Sequence, residues 1–246
     1  MGRASLCFLD MDLKRFFCDE KINGDVVKLS GDEFYHAVKV TRHKVGYKLI
    51  LCDNGNYDYY ATIKEINRDF LIAKIDKRVF NPVESDFKLN LYIGNNKDID
   101  SVVQKAVEMG VNSITPFVSE RCNVKEINYE RLNKIVLESS KQCGRARLAT
   151  INEQITFEEA VTQAKTGDVF LFYEFEDKNF VRDTLIKSKE ISIFIGTEGG
   201  FSEEEIAFAH KEGIKTYSLG KRIMRVATAV VSACALVNDK AEGSFN

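Results

Sequence analysis

The sequence has no apolar run approaching the roughly 18 residues that a membrane-spanning helix needs. Its opening stretch, MGRASLCFLDMDLKRFF, lacks the apolar core of a secretory signal. A cytoplasmic protein with no membrane partner is expected. The six cysteines (Cys7, Cys18, Cys52, Cys122, Cys143 and Cys234) form no C-x-x-C pair, and histidine occurs only three times. That excludes the common zinc spacings and a disulfide framework, so reduced thiols and no metal are expected. No G-x-G-x-x-G follows a strand and no G-x-x-x-x-G-K-[ST] is present, which argues against dinucleotide or nucleotide-phosphate loops. A basic excess is missing too: 35 Lys+Arg face 37 Asp+Glu, for a formal net charge of -2. Any nucleic-acid surface must then be a local patch.

What is present is the composition of a globular protein, 44% hydrophobic and 29% charged, with length for one large domain or two ordinary ones. Residues 1–80 read as β-rich. Lys48–Asp53 and Tyr57–Ile66 flank Asn54-Gly55, a pair suited to a type I′ hairpin turn, and Phe70–Phe80 follows after a second turn. Strands joined by short turns imply a small barrel or meander. The segment 81–86 breaks the pattern and reads as a linker.

From residue 88 to 246 the rhythm alternates. Strand-like runs at Lys88–Ile93, Ser113–Phe117, Asp168–Tyr173, Ile191–Ile195 and Ile214–Leu219 are separated by helical segments. Ile99, Val102, Val103, Ala106 and Val107 recur at helical spacing and Gly110 ends that helix. Thr156 with Glu159, and Ser202 with Glu205, read as capping boxes. Alternating β and α units predict a mostly parallel sheet covered on both faces. The last helix, from Ala227 to about Val237, is small and apolar on nearly every side, which predicts burial in the core or in a subunit interface.

Ligands of open α/β sheets bind beyond the carboxyl ends of strands. Three such ends stand out: Phe172-Tyr173-Glu174, then Ile195-Gly196-Thr197-Glu198-Gly199-Gly200-Phe201, then Leu219-Gly220-Lys221-Arg222-Ile223-Met224-Arg225. Glycine there permits positive φ and close backbone approach to a flat ligand, although glycines also simply turn strands into helices.

The pair I-G-T-E-G-G-F-S-E-E-E and L-G-K-R-I-M-R-V-A-T-A resembles the signatures of the bacterial 16S rRNA uridine N-3 methyltransferases, the RsmE-type branch of the knotted SPOUT superfamily. The likeness extends to Gln104–Val111, Pro116, Ser119-Glu120-Arg121, Glu138, Gln142 and Arg145, and to an H-x-x-x-V-x-R stretch at His36–Arg42. It implies an N-terminal PUA-like barrel, a C-terminal α/β domain with a trefoil knot, a homodimer, S-adenosylmethionine as cofactor, and 16S rRNA of the small ribosomal subunit as substrate. Carried over by position, the cofactor would be held by Phe172, Tyr173, Glu174, Gly196, Glu198, Gly200, Leu219, Gly220, Ile223 and Met224. Three positions depart from the family: Thr197 and Lys221 replace prolines, and Ala227 replaces a glutamate.

Methylating N3 of uridine requires loss of the ring proton and stabilisation of the resulting anion. Arg225, before the last helix, is the candidate cation, with a salt bridge closing the knot or the dimer as its alternative. The sequence does not identify the base: Glu198 is the nearest carboxylate, with a structural tie to loop amides as its alternative. Two basic patches are candidates for RNA contact. Lys39, Arg42, Lys44 and Lys48 form the first, with His43, Tyr35 and Tyr47 interleaved; Lys141, Arg145 and Arg147 form the second.

Overall fold

A computed structural model describes residues 13–122 and 126–245. The chain divides into two compact units, the first comprising residues 1–84 with 140–147, the second residues 85–139 with 148–246. Cys7 lies outside the described residues; the other five cysteines are free thiols.

In the first unit, β1 (Arg15–Phe17), β2 (Val26–Ser30), β3 (Lys48–Cys52), β4 (Tyr57–Ile66) and β5 (Phe70–Phe80) form one sheet in the order β1-β3-β4-β5-β2. Its pairs are antiparallel except β1–β3. A short helix α1 (Gly31–Tyr35) and a π-helical turn, His36–Val40, join β2 to β3. The period-2 pattern turns Val27, Leu29, Leu49, Leu51, Ala61, Ile63, Leu71 and Ala73 to one face, where Phe16 and Phe34 complete the core. The β3–β4 connection differs from the expected two-residue turn. It spans residues 53–56, and Asn54 alone (φ 58°) is left-handed. A type I′ turn would need positive φ at Gly55 as well; instead the Asp53 carboxylate accepts from the Ile22 amide and the Tyr59 hydroxyl across this loop.

Segment 140–147 joins this unit through polar ties. Arg145 is buried and donates two bonds of 3.0 Å to the Glu84 carboxylate. Lys141 pairs with Glu33, Arg147 donates to Asn56, and Asn81 bridges the Asp58 carboxylate and the Gly144 carbonyl. The patch at 141, 145 and 147 is therefore not the solvated RNA-facing surface expected from sequence. A guanidinium at Arg145 that is buried and held by a bidentate carboxylate is not presented to a phosphate.

The second unit contains β6 (Lys88–Gly94), α2 (Ile99–Glu108), β7 (Ser113–Val118), α3 (Tyr129–Cys143), β8 (Thr150–Ile151), β9 (Ile155–Thr156), α4 (Phe157–Ala164), β10 (Asp168–Phe172), β11 (Glu190–Ile195), α5 (Glu203–Lys211), β12 (Thr216–Tyr217) and α6 (Val226–Phe245). The last turn of α3 is counted with the first unit. Every strand pair is parallel, in the order β12-β10-β11-β6-β7-β8 with β9 also beside β7. Strand β11 lies between two strands that precede it, and β12 passes to the far edge, in keeping with the α/β class expected. Both capping boxes form, at Thr156/Glu159 and Ser202/Glu205, each stabilising its helix start by about 1 kcal/mol.

Helix α6 runs eight residues beyond the expected end, to Phe245. It buries a stripe of Val226, Val230, Ala233, Cys234, Val237 and Ala241 and leaves Leu236 46% exposed. Its small residues thus serve one face rather than all sides. No helix of the described residues is long and apolar enough to cross a membrane.

Candidate active site

The carboxyl ends of β10, β11 and β12 sit side by side because β10 pairs with both of the others. The loops leaving these ends enclose a cleft of about 220 Å³. All ten residues carried over as cofactor contacts line it: Phe172, Tyr173 and Glu174 from the first loop, Gly196, Glu198 and Gly200 from the second, and Leu219, Gly220, Ile223 and Met224 from the third. The lining also includes Phe175, Ile195, Thr197, Gly199, Arg222, Val226 and Ala229, which were not among the expected cofactor contacts. Ile195, Thr197, Gly199 and Arg222 belong to the three strand ends, whereas Phe175, Val226 and Ala229 follow them in the chain.

Each loop is held by its own bonds. In the first, the Tyr173 amide donates to the Tyr217 carbonyl (3.0 Å), and the Glu176 carboxylate accepts from the Lys178 and Asn179 amides and from Thr216 Oγ1 (2.6 Å). Burial would push the Glu176 carboxyl up, but these donors together outweigh it and hold the group at about 2. Burial raises the Tyr173 hydroxyl, and the nearby Glu174 and Glu203 carboxylates raise it further.

The second loop is braced from outside. The buried Glu205 carboxylate accepts from the Ser202 amide (2.8 Å), Ser119 Oγ (3.1 Å) and the Glu120 amide (3.1 Å), and Arg121 donates to the Gly199 carbonyl (3.0 Å). The motif Ser119-Glu120-Arg121 is thus a buttress behind the loop. Where the family carries proline, the Thr197 hydroxyl donates to the Arg121 carbonyl (3.3 Å) and accepts from the Gly199 amide (3.2 Å). Hydrogen bonds fix a segment that a pyrrolidine ring would otherwise stiffen. Gly200 is required twice over. Its φ is +70°, and a β-carbon there would come within 1.9 Å of the Glu174 carboxylate.

The third loop turns at Gly220 (φ +103°), whose amide donates to Ser218 Oγ (3.1 Å). It delivers the chain to α6, whose first turn presents Val226 and Ala229 to the cleft. The positive end of a 20-residue helix therefore opens at the cleft.

The charged groups of the lining are Glu174, Glu198 and Arg222, all exposed. Glu198 accepts from the Lys97 amide (3.2 Å), tying the second loop to the start of α2. Arg222 is the single Lys or Arg among the lining residues; Arg225 is exposed and lies outside them. In the first unit, Lys39, Arg42 and Lys44 are exposed on the π-helical turn and the loop after it. Arg42 is left-handed (φ 57°), in a turn closed by the Thr41 hydroxyl on the His36 and Ala37 carbonyls.

Comparison with known proteins agrees with this geometry. The model of the RNA methyltransferase domain matches residues 82–238, and that of the RNA methyltransferase PUA domain matches residues 29–76. Ribosomal RNA small subunit methyltransferase E of Mesomycoplasma hyopneumoniae is 31% identical over 88% of this chain and 95% of its own length. The enzyme of that name from Buchnera aphidicola is 30% identical over 87% and 91%. Among solved structures, Ribosomal RNA small subunit methyltransferase E from Neisseria gonorrhoeae bound to S-adenosyl methionine superposes with a TM-score of 0.85 at 26% identity. It covers 92% of this chain and 97% of that one.

Proposed function

The chain belongs to the RNA methyltransferase family whose curated members bear the name Ribosomal RNA small subunit methyltransferase E, and from that premise we propose that it methylates N3 of a uridine in 16S rRNA, using S-adenosylmethionine held in the three-loop cleft. The observation that carries this reading is the convergence of ten motif residues, from three separate loops, on one cleft at the carboxyl ends of parallel strands. The donor set fits the cofactor. Glycine backbone at 196, 199 and 200 admits a flat purine, and Leu219, Ile223 and Met224 offer apolar and thioether contact. S-adenosylmethionine, when bound there, supplies a methyl carbon made electrophilic by its sulfonium.

The rest of the chemistry falls to the protein. The uracil N3 proton must leave, and the negative charge that develops on N3, O2 and O4 must be met. Arg222 is the cation inside the cleft, so we place it ahead of Arg225 in this role, and the N-terminus of α6 adds positive potential. Arg225 stands outside the lining and is assigned to the RNA backbone near the acceptor. Glu198 has one oxygen on the Lys97 amide and its second oxygen available at the cleft, so it can both fix its loop and receive the proton. Lys39, Arg42 and Lys44 of the first unit are assigned to RNA phosphates. A homodimer would cover Ile223 and Phe175, which are 92% and 74% exposed.

The test is transfer of labelled methyl from S-adenosylmethionine to unmethylated small subunits, with the modified nucleoside identified. Label in 3-methyluridine is expected; label in another nucleoside overturns the N3 assignment, and no label with no cofactor binding favours a non-catalytic scaffold. Arg222→Ala should lower kcat by about a hundredfold or more with cofactor affinity kept, as for loss of one oxyanion donor. Arg225→Ala should act mainly on KM for RNA.

A further inference from the structure

The first unit's sheet has two faces, and the second is as patterned as the core. Opposite the buried Leu29, Leu49, Ile63 and Ala73 stand Lys28, Lys48, Lys64 and Lys74, all exposed. Each lies 10 to 20 residues from the next along the chain, and only Lys48 belongs to a basic patch legible in the sequence. The strand register brings them together. Lys48 is the ladder partner of Thr62, Thr62 of Lys74, and Lys74 of Val26, giving one row across four strands. Lys28 lies diagonal to Lys74, and Lys64 stands at the β-bulge between Ile63 and Glu65. Backbone spacing puts these lysines about 7–10 Å from their neighbours.

Their electrostatic state differs from that of the inward basic residues. Arg15, Lys141 and Arg145 are each closed by a carboxylate. None of the four outer lysines takes part in an ion pair among the described residues. Lys28 rests over the Phe70 ring at 4.5 Å. Two carboxylates lie near the band: Asp76 accepts from the Thr62 hydroxyl (2.6 Å) and Glu65 from the Asn67 amide nitrogen (2.8 Å), and neither forms an ion pair with the four lysines. In a chain of net charge -2, a band of lysines outside any ion pair on one sheet face costs self-repulsion that a bound polyanion would relieve.

The band is continuous with the turn patch. The Gly46 amide donates to the Ile63 carbonyl and the Ile63 amide to the Tyr47 carbonyl, which sets the loop carrying Lys44 beside Lys64. We propose that Lys28, Lys48, Lys64 and Lys74 form an extended RNA-contact surface of the first unit that holds the rRNA phosphodiester backbone. This rests on the reading of rRNA as substrate.

The experiment compares the full-length wild type with the variant Lys28→Gln/Lys48→Gln/Lys64→Gln/Lys74→Gln. Affinity for small subunits is measured from 50 to 200 mM salt, together with S-adenosylmethionine affinity and melting temperature. Each phosphate contact contributes about 0.7 to 0.9 to the slope of log affinity against log salt. The variant's slope should shrink by about three, with cofactor affinity and melting temperature unchanged. The pair Lys28→Gln/Lys74→Gln should lose about half as much. An unchanged slope in a folded, cofactor-binding variant overturns the surface and leaves the methyltransferase reading intact. A wild type that binds cofactor but no small subunit overturns the rRNA reading itself.

Discussion

In the first unit, Arg15, Lys141 and Arg145 are turned inward and each is closed by a carboxylate. In the second, the charged groups of the cleft stand exposed at its lining. Arg145 and Glu84 keep only 2% and 6% of their side-chain surface in water, whereas Glu174, Glu198 and Arg222 are exposed at the cleft. A buried charge is tolerable only when its partner is complete and permanent. A cleft that must receive a ligand needs the opposite: groups kept hydrated until the ligand arrives, and a wall made rigid by bonds set behind it. Charge fixes structure in one place and waits for chemistry in the other.

The comparison breaks most visibly at Arg145. Arg145→Ala strands the Glu84 carboxylate and should cost about 3–5 kcal/mol, read as a fall in the unfolding midpoint of the first unit. Replacing both partners, as Arg145→Met with Glu84→Leu, should restore most of that loss; if it does not, the pair contributes more than mutual neutralisation. On the other side, Gly200→Ala should cost about 1–2 kcal/mol of stability and weaken S-adenosylmethionine by about ten- to a hundredfold in calorimetry. The residue would have to hold φ +70° and displace the Glu174 carboxylate. A large loss of stability instead would make the second loop part of the core rather than a wall.

Smaller changes sharpen the contrast. Thr197→Val removes the hydroxyl that ties Gly199 and Arg121, and should weaken cofactor binding about fivefold. The smallest effect is a pH dependence. Glu176 is held at about 2, below its ordinary 4.5. Its contribution to stability is therefore present above about pH 4.5 and is lost as pH falls towards 2. The gap in melting temperature between wild type and Glu176→Gln should narrow across that window, and a constant gap would mean Glu176 acts only by its shape.

Much of this was legible along the chain because it depends on neighbours in sequence. The β-rich start, the alternating second part, both capping boxes and the three strand-end loops all follow from residues within a few positions of one another. The Asn54-Gly55 turn misled because a pair suited to a tight hairpin was overruled by the Asp53 carboxylate, which bonds across a longer loop. The basic cluster at 141, 145 and 147 misled for a related reason. Spacing shows that charges are close to each other, but not that Glu33, Glu84 and Asn56, far away in the chain, will claim them.

The sequence by itself thus determined the β-rich and alternating parts, the two capped helix starts, the family and which loops carry the cleft. Periodicity, capping and glycine placement are local, and each is decided within a turn or two of chain. Only the tertiary structure decided which charges are used up and which remain available. It enclosed Arg145, left Arg222 inside the cleft and Arg225 outside, and gathered four separated lysines onto one sheet face. The physical reason is that burial and pairing of a charge depend on groups brought near by folding, and strand register, not sequence distance, sets who those neighbours are.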